Sequence, residues 1–278
     1  MTDFIQHWLI TPMGFDFMQR AMVVSTLIGL VCSIFSCFLV LKGWSLMGDA
    51  VSHAVLPGLA LAYVIGIPLA LGAFCAGLFC ALSIGYLKEN SRVKEDTVMG
   101  IVFSGMFALG LVLLTRIETD VHLLHVLFGN VLGITTQDMI EAGSIAAISA
   151  IVMLIKRRDL MLYCFDPAHA RVIGLPVRLL HFGLLVLLSL TIVASLKAAG
   201  IILVVAMLIA PGATAFLLTR SFDKMLLVAM TTSVFSCLSG TLLSFHLDAA
   251  TAPLIVIIQT FLFISAMFIG RRTEEKYA

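Results

Sequence analysis

The chain has 278 residues, 61% of them hydrophobic and 12% charged, with a formal net charge of +1. A soluble globular domain averages about 25% charged residues, so the composition excludes a water-soluble fold and points to an all-α polytopic membrane protein. The near-neutral balance and the lack of any basic tract give no reason to expect nucleic acid as a partner.

In chain order, residues 1–17 contain Asp3, His7, Trp8 and Asp16 but no basic stretch ahead of an apolar run. They read as an extracytoplasmic segment, not as a cleavable signal peptide. With about 20 apolar residues needed per crossing, candidate spans fall at 18–42, 46–66, 69–88, 97–116, 138–156, 178–196, 200–219, 223–245 and 252–270. These make one transmembrane domain over 18–270, followed by a tail at 271–278. Pro57 in the second span, and Pro211 with Gly212 in the seventh, are candidate helix breaks and gating points. One of these two segments is expected to be broken or re-entrant, which leaves eight to nine transmembrane helices.

Orientation follows from the basic residues. With the N-terminus outside, the inner side receives all 17 Lys and Arg except Arg20, Arg116 and Lys197. That bias satisfies the positive-inside rule and makes the C-terminal "GRRTEEKYA" cytoplasmic.

Two loops stand out. The outer one, 117–137, has an apolar centre too short to span, which suits a re-entrant or interfacial helix. The inner one, 157–177, contains Asp166 and Pro167 as an expected N-cap and first helical residue, with Gly174 and Pro176 as the stop. A short cytoplasmic helix is expected at about 166–175. Five of the six cysteines lie in apolar runs and none forms a C-x-x-C pair, so they read as small buried hydrophobes.

Within "WSLMGDAVSHAVLPG", Asp49 and His53 are four residues apart, so a helix places them on one face. Ionisable residues inside a span are functional candidates by default. One hard oxygen and one borderline nitrogen suit manganese(II), iron(II) or zinc(II) better than copper(I). The competing reading is a simple ion pair that locks helix packing. Asp120, His122 and His125 in the outer loop would be first contacts for a metal ion at the outer mouth. Ser52 adjoins His53 but points about 100° away from it, and no Gly-x-Ser-x-Gly or H-E-x-x-H motif is present. The chain also lacks G-x-x-x-x-G-K-[ST], so ATP hydrolysis would have to occur on another subunit.

Four motifs carry a resemblance: "LKGWSLMGDAVSHAVLPGLALA" (41–62), "HVLFGNVLG" (125–133), "FDPAHARVIGLPV" (165–177) and "GIILVVAMLIAPGATAFLL" (200–218). Together they resemble the membrane permease subunit of metal-ion ABC importers, the zinc/manganese/iron permease family of type 3. The likeness is nearest to bacterial manganese/iron permeases.

The resemblance implies a non-enzymatic transport subunit of the bacterial cytoplasmic (inner) membrane, with no tightly bound cofactor. It implies a second permease subunit, identical or paralogous, and cytoplasmic ABC ATPase subunits. It further implies a periplasmic or lipid-anchored metal-binding protein outside. Asp49 and His53 would then line the metal path. The segment with Asp166, Pro167, Ala168, Ala170 and Gly174 would be the coupling helix that docks on the ATPase. A proton- or sodium-coupled carrier, or a siderophore or vitamin permease, is the alternative.

Overall fold

Hydrocarbon offers no water to bond backbone N–H and C=O groups, so only helices and closed barrels cross a bilayer. The long apolar runs of this chain take the helical route. The computed structural model describes residues 11–116 and 135–275, and those residues are helical with short connections. In chain order the elements are α1 (Asp16–Lys42), α2 (Met47–Ala54), α3 (Leu56–Ile65), α4 (Leu69–Asn90), α5 (Glu95–Arg116) and α6 (Thr136–Ile155). Then follow α7 (Arg157–Phe165), α8 (Pro167–Val172), α9 (Val177–Leu218), α10 (Phe222–Leu247) and α11 (Thr251–Glu275).

Among the described residues, 9 stretches are long and apolar enough to cross a membrane. The second combines α2 and α3 as Met47–Ile65, and α9 contributes two, Val177–Leu196 and Ala198–Leu218. The outer-loop residues Asp120, His122 and His125 lie outside the described residues.

The centre of the bundle is α1, whose most apolar window is 72% buried, against 17% for the Asp96–Arg116 span. It packs on α9 and α10, and α11 closes against the same two helices. Small residues let α1 and α10 approach closely. A Cβ on Gly29 would sit 2.6 Å from Cys237 Sγ and 2.8 Å from Ser233 Oγ, and Ser25 Oγ lies 3.3 Å from Thr241 Oγ1. Ser233, Cys237 and Thr241 repeat every four residues, the small-residue spacing by which membrane helices pack where no hydrophobic drive exists. A second such seam joins α3 to α4. A Cβ on Gly58 would collide with the Gly72 carbonyl, one on Gly72 with the Gly58 carbonyl, and Ala62 and Ala76 continue the contact.

The interruptions differ from those expected at prolines. Helix α9 keeps helical geometry through Pro211 and Gly212, and its one non-helical residue is Gly200 (φ 77°, ψ 165°). That conformation is open to glycine and strained for residues with a Cβ. The expected break at Pro211–Gly212 is therefore absent, and Ser36 of α1 supplies the reason. Its hydroxyl donates to the Ile209 carbonyl (3.0 Å) and accepts from the Gly212 amide (2.9 Å). Proline removes one ladder bond, and a neighbouring hydroxyl bonds the disturbed backbone beside it. Gly212 leaves room for this, since a Cβ there would lie 2.5 Å from Ser36 Oγ.

In the second span the helix is interrupted at Val55, between α2 and α3, with Pro57 in the first turn of α3. Pro57 cannot donate to the carbonyl four residues back, that of His53, so the ladder lapses there while Val55 itself stays in helical space (φ −65°, ψ −27°).

Ser36→Ala should destabilise the protein by about 1–3 kcal/mol, because it strips a buried amide of its acceptor. Gly58→Val should push α3 off α4. Thermal unfolding of the purified chain in detergent checks both, and an unchanged melting temperature for Ser36→Ala would remove its role as the brace of Pro211.

Candidate metal-path site on the second span

Helix α2 buries Met47, Gly48, Ala50, Val51, Ser52 and Ala54, and it packs against α4, α5 and α9. Gly48 seats it on α9, since a Cβ there would come within 2.7 Å of Leu208 Cδ1. The remaining face carries Asp49 in the first turn and His53 in the last, the arrangement that suits the helix dipole. His53 Nε2 lies 3.3 Å from Asp49 Oδ1, with the side chains 30% and 33% exposed. The sequence-predicted pair is thus brought together, half-buried and open on one side. Six residues separate His53 from Met47, which places the imidazole about 9 Å into the span at 1.5 Å per residue.

Two aromatic rings of α5 hold the imidazole from the other side. Phe107 meets it edge-on at 5.3 Å between centroids, and Phe103 lies at 6.0 Å. Sequence reasoning missed this pair. The available signal was their spacing of four inside a span, which puts both on one face of α5. The nucleophile reading of Ser52 fails on geometry, because its hydroxyl is buried and donates to the Gly48 carbonyl at 2.7 Å.

Among the described residues no three His, Cys, Asp or Glu side chains gather closely enough to hold a metal ion. Asp49 and His53 supply two donors, while divalent transition metals take four or more. His181 bonds Tyr163 Oη through Nδ1 (2.7 Å), and His246 Nδ1 lies 3.0 Å from the Leu242 carbonyl. Neither adds to the pair. Cys164 on α7 is buried and its thiol is pushed up to about 12 by desolvation, with Lys42 acting weakly in the other direction. It is a packing residue and not a reactive thiolate. Cys75 faces outward, and the other five cysteines are buried.

On the other side of α7, α8 forms as the sequence requires. Asp166 caps it by accepting from the amides of Ala168 and His169, both at 3.0 Å, and Pro167 opens the first turn. The end is a Schellman motif, with Leu175 N bonded to Ala170 O (3.0 Å), Gly174 N to Arg171 O (3.1 Å) and Gly174 at φ 84°. Ala170 is fully buried, so it anchors α8 to the bundle.

The profile of the ABC 3 transport family matches residues 14–270. The chain belongs to that family. It is 65% identical over 256 residues to the chelated iron transport system membrane protein YfeD of Yersinia pestis, an alignment that covers 92% of this chain and 86% of the relative. It is 53% identical over 261 residues to the manganese transport system membrane protein MntB of Synechocystis, covering 94% and 85%. The solved structure of PsaBC from Streptococcus pneumoniae in complex with Fab superposes with a TM-score of 0.86 at 35% identity, covering 98% and 99% of the two chains. As an ABC 3 permease, the chain is a membrane transport subunit, and the nine long apolar stretches among its described residues are those of a multi-pass membrane protein.

A half-exposed carboxylate–imidazole pair at i,i+4 contributes little to folding. Asp49→Asn should therefore change unfolding free energy by under about 1 kcal/mol. A melting study in detergent without metal tests this, and a much larger loss would mark the pair as a packing lock.

Proposed function

We propose that this ABC 3 permease is the transmembrane subunit of an ATP-driven importer. It moves manganese(II), iron(II) or zinc(II) from an extracytoplasmic binding protein into the cytoplasm. The observation that carries the reading is the Asp49–His53 pair, paired with each other and open on one side within a membrane span. Relatives named for iron and manganese transport support the same cargo.

In this reading the N-terminus is outside and the C-terminus cytoplasmic. The ion sheds part of its water at Asp49 and His53, because a bare dication in hydrocarbon is prohibitively costly. Further donors come from a second permease subunit facing the same path and from the outer-mouth residues Asp120, His122 and His125. Only two donors per chain keeps the ion moving, since a complete cage would trap it. Phe103 and Phe107 fix the imidazole so that Nε2 stays directed at Asp49 and at an arriving ion. ATP hydrolysis belongs to a separate cytoplasmic subunit. Its motion reaches the bundle through α8, with Asp166, Pro167, Ala168, Ala170 and Gly174 shaping the docking helix. The interruption at Val55 and Pro57, directly after His53, is the point where α2 can move in gating, while Pro211–Gly212 stays braced by Ser36.

Uptake of manganese, iron and zinc by cells carrying Asp49→Ala or His53→Ala, with membrane insertion checked by immunoblot, tests the site. Each variant should lose most uptake, and a manganese–iron–zinc competition panel on the wild type ranks the cargo. Normal uptake at normal expression in both variants would falsify the assignment. For coupling, Asp166→Ala should lower stimulated ATPase activity of the assembled transporter while leaving the external binding protein docked.

A further inference from the structure

The proposed coupling leaves a gap between α8, where the ATPase docks, and α2, where the two donors stand. Helix α8 packs chiefly on α7 and on the start of α9, the elements that flank it in sequence. Those two are tied to each other at its base. Tyr163 Oη, on α7, lies 2.7 Å from His181 Nδ1, on α9, and the Tyr163 side chain is buried. The bond closes 18 residues of chain and makes α7, α8 and the first turns of α9 one clipped unit.

The same imidazole meets the connection that leads into α2. Trp44 stands edge-on to it at 5.5 Å between centroids. On a third side Gly85 of α4 makes room, since a Cβ there would lie 3.3 Å from His181 Nε2. Trp44 is itself 4% exposed and has little slack in its backbone. Its amide bonds the Leu39 carbonyl (2.8 Å) beside Gly43 at φ 76°, the Schellman close of α1. Its carbonyl accepts from the amide of Met47 (3.0 Å), the first residue of α2, and Asp49 stands in that first turn. A ring boxed by Tyr163, Trp44 and Gly85 has no free space to turn into, because packed interiors do not deform continuously. A displacement of α7 or of the start of α9 therefore arrives at Trp44, and through its backbone at α2.

We propose that Tyr163, His181 and Trp44 are positioning residues that relay the displacement of α8 to the first turn of α2. Asp49 and His53 meet the ion, and these three set the helix that carries them according to the nucleotide state of the ATPase. The inference rests on α8 being the docking helix of the proposed function, but not on the metal reading. Lying between two sites does not by itself make a residue a coupler. The test therefore reads a signal at Trp44 and the non-additivity of the two links.

Trp44 is one of 2 tryptophans, so Trp8→Phe leaves it as the sole reporter. The full chain carrying that change and fluorotryptophan is assembled with unlabelled ATPase subunits. The fluorine resonance of Trp44 is then compared between the nucleotide-free and vanadate-trapped complexes, and it should move. Tyr163→Phe keeps the ring and loses the bond; His181→Asn keeps an amide for Tyr163 and loses the ring against Trp44. Each should remove most of the movement and lower manganese imported per ATP hydrolysed roughly threefold to tenfold. The double variant should fall no further than the worse single one. Ser36→Ala, which loosens the bundle away from this route, should keep the movement. A wild-type resonance that stays still, or one that moves as far in both single variants, overturns the relay whatever the uptake shows. Losses that multiply in the double variant overturn it too. A resonance that moves in a wild-type complex importing no manganese, iron or zinc upholds the relay and overturns the metal reading instead.

Discussion

Every departure from regular helix inside a bilayer must be closed by protein, because an unpaired peptide group there has no water to bond. Three places in this chain are governed by that constraint. At Pro211 the closure comes from another helix, through Ser36. At Pro57 the ladder loses its bond to the His53 carbonyl, and neighbouring helices close around the interruption. At Gly200 the backbone leaves helical space altogether, at the junction of two spans. The first brace holds α9 against α1. The second leaves α2 and α3 joined through a residue in helical space, with the ladder interrupted between them.

That packing comes from small residues. Gly58 and Gly72 bring α3 against α4, and on the other flank Leu56 and Pro57 lie against Gly110 of α5, where a Cβ would fall 2.9 Å from both. The interruption in the second span is therefore gripped on two sides. Gly48 fixes α2 to α9 in the same way. Helix α2 is a short rod clamped by its buried face, and Asp49 and His53 are presented on the face left over. A loop could not present two polar groups this reproducibly at membrane depth.

Most of this was legible in the sequence for a physical reason. Apolar run length is set by bilayer thickness, so the spans could be read directly, and the cap residues of α8 announced its first and last turns. Asp49 and His53 were legible because polar groups in an oily helix are costly. The tertiary exceptions were not legible. Pro211 looks like a break because proline removes a local bond, and the residue that repairs it is Ser36, far away in sequence. Likewise Phe103 and Phe107 are indistinguishable by type from lipid-facing residues, and only the folding of α5 against α2 turns them towards His53.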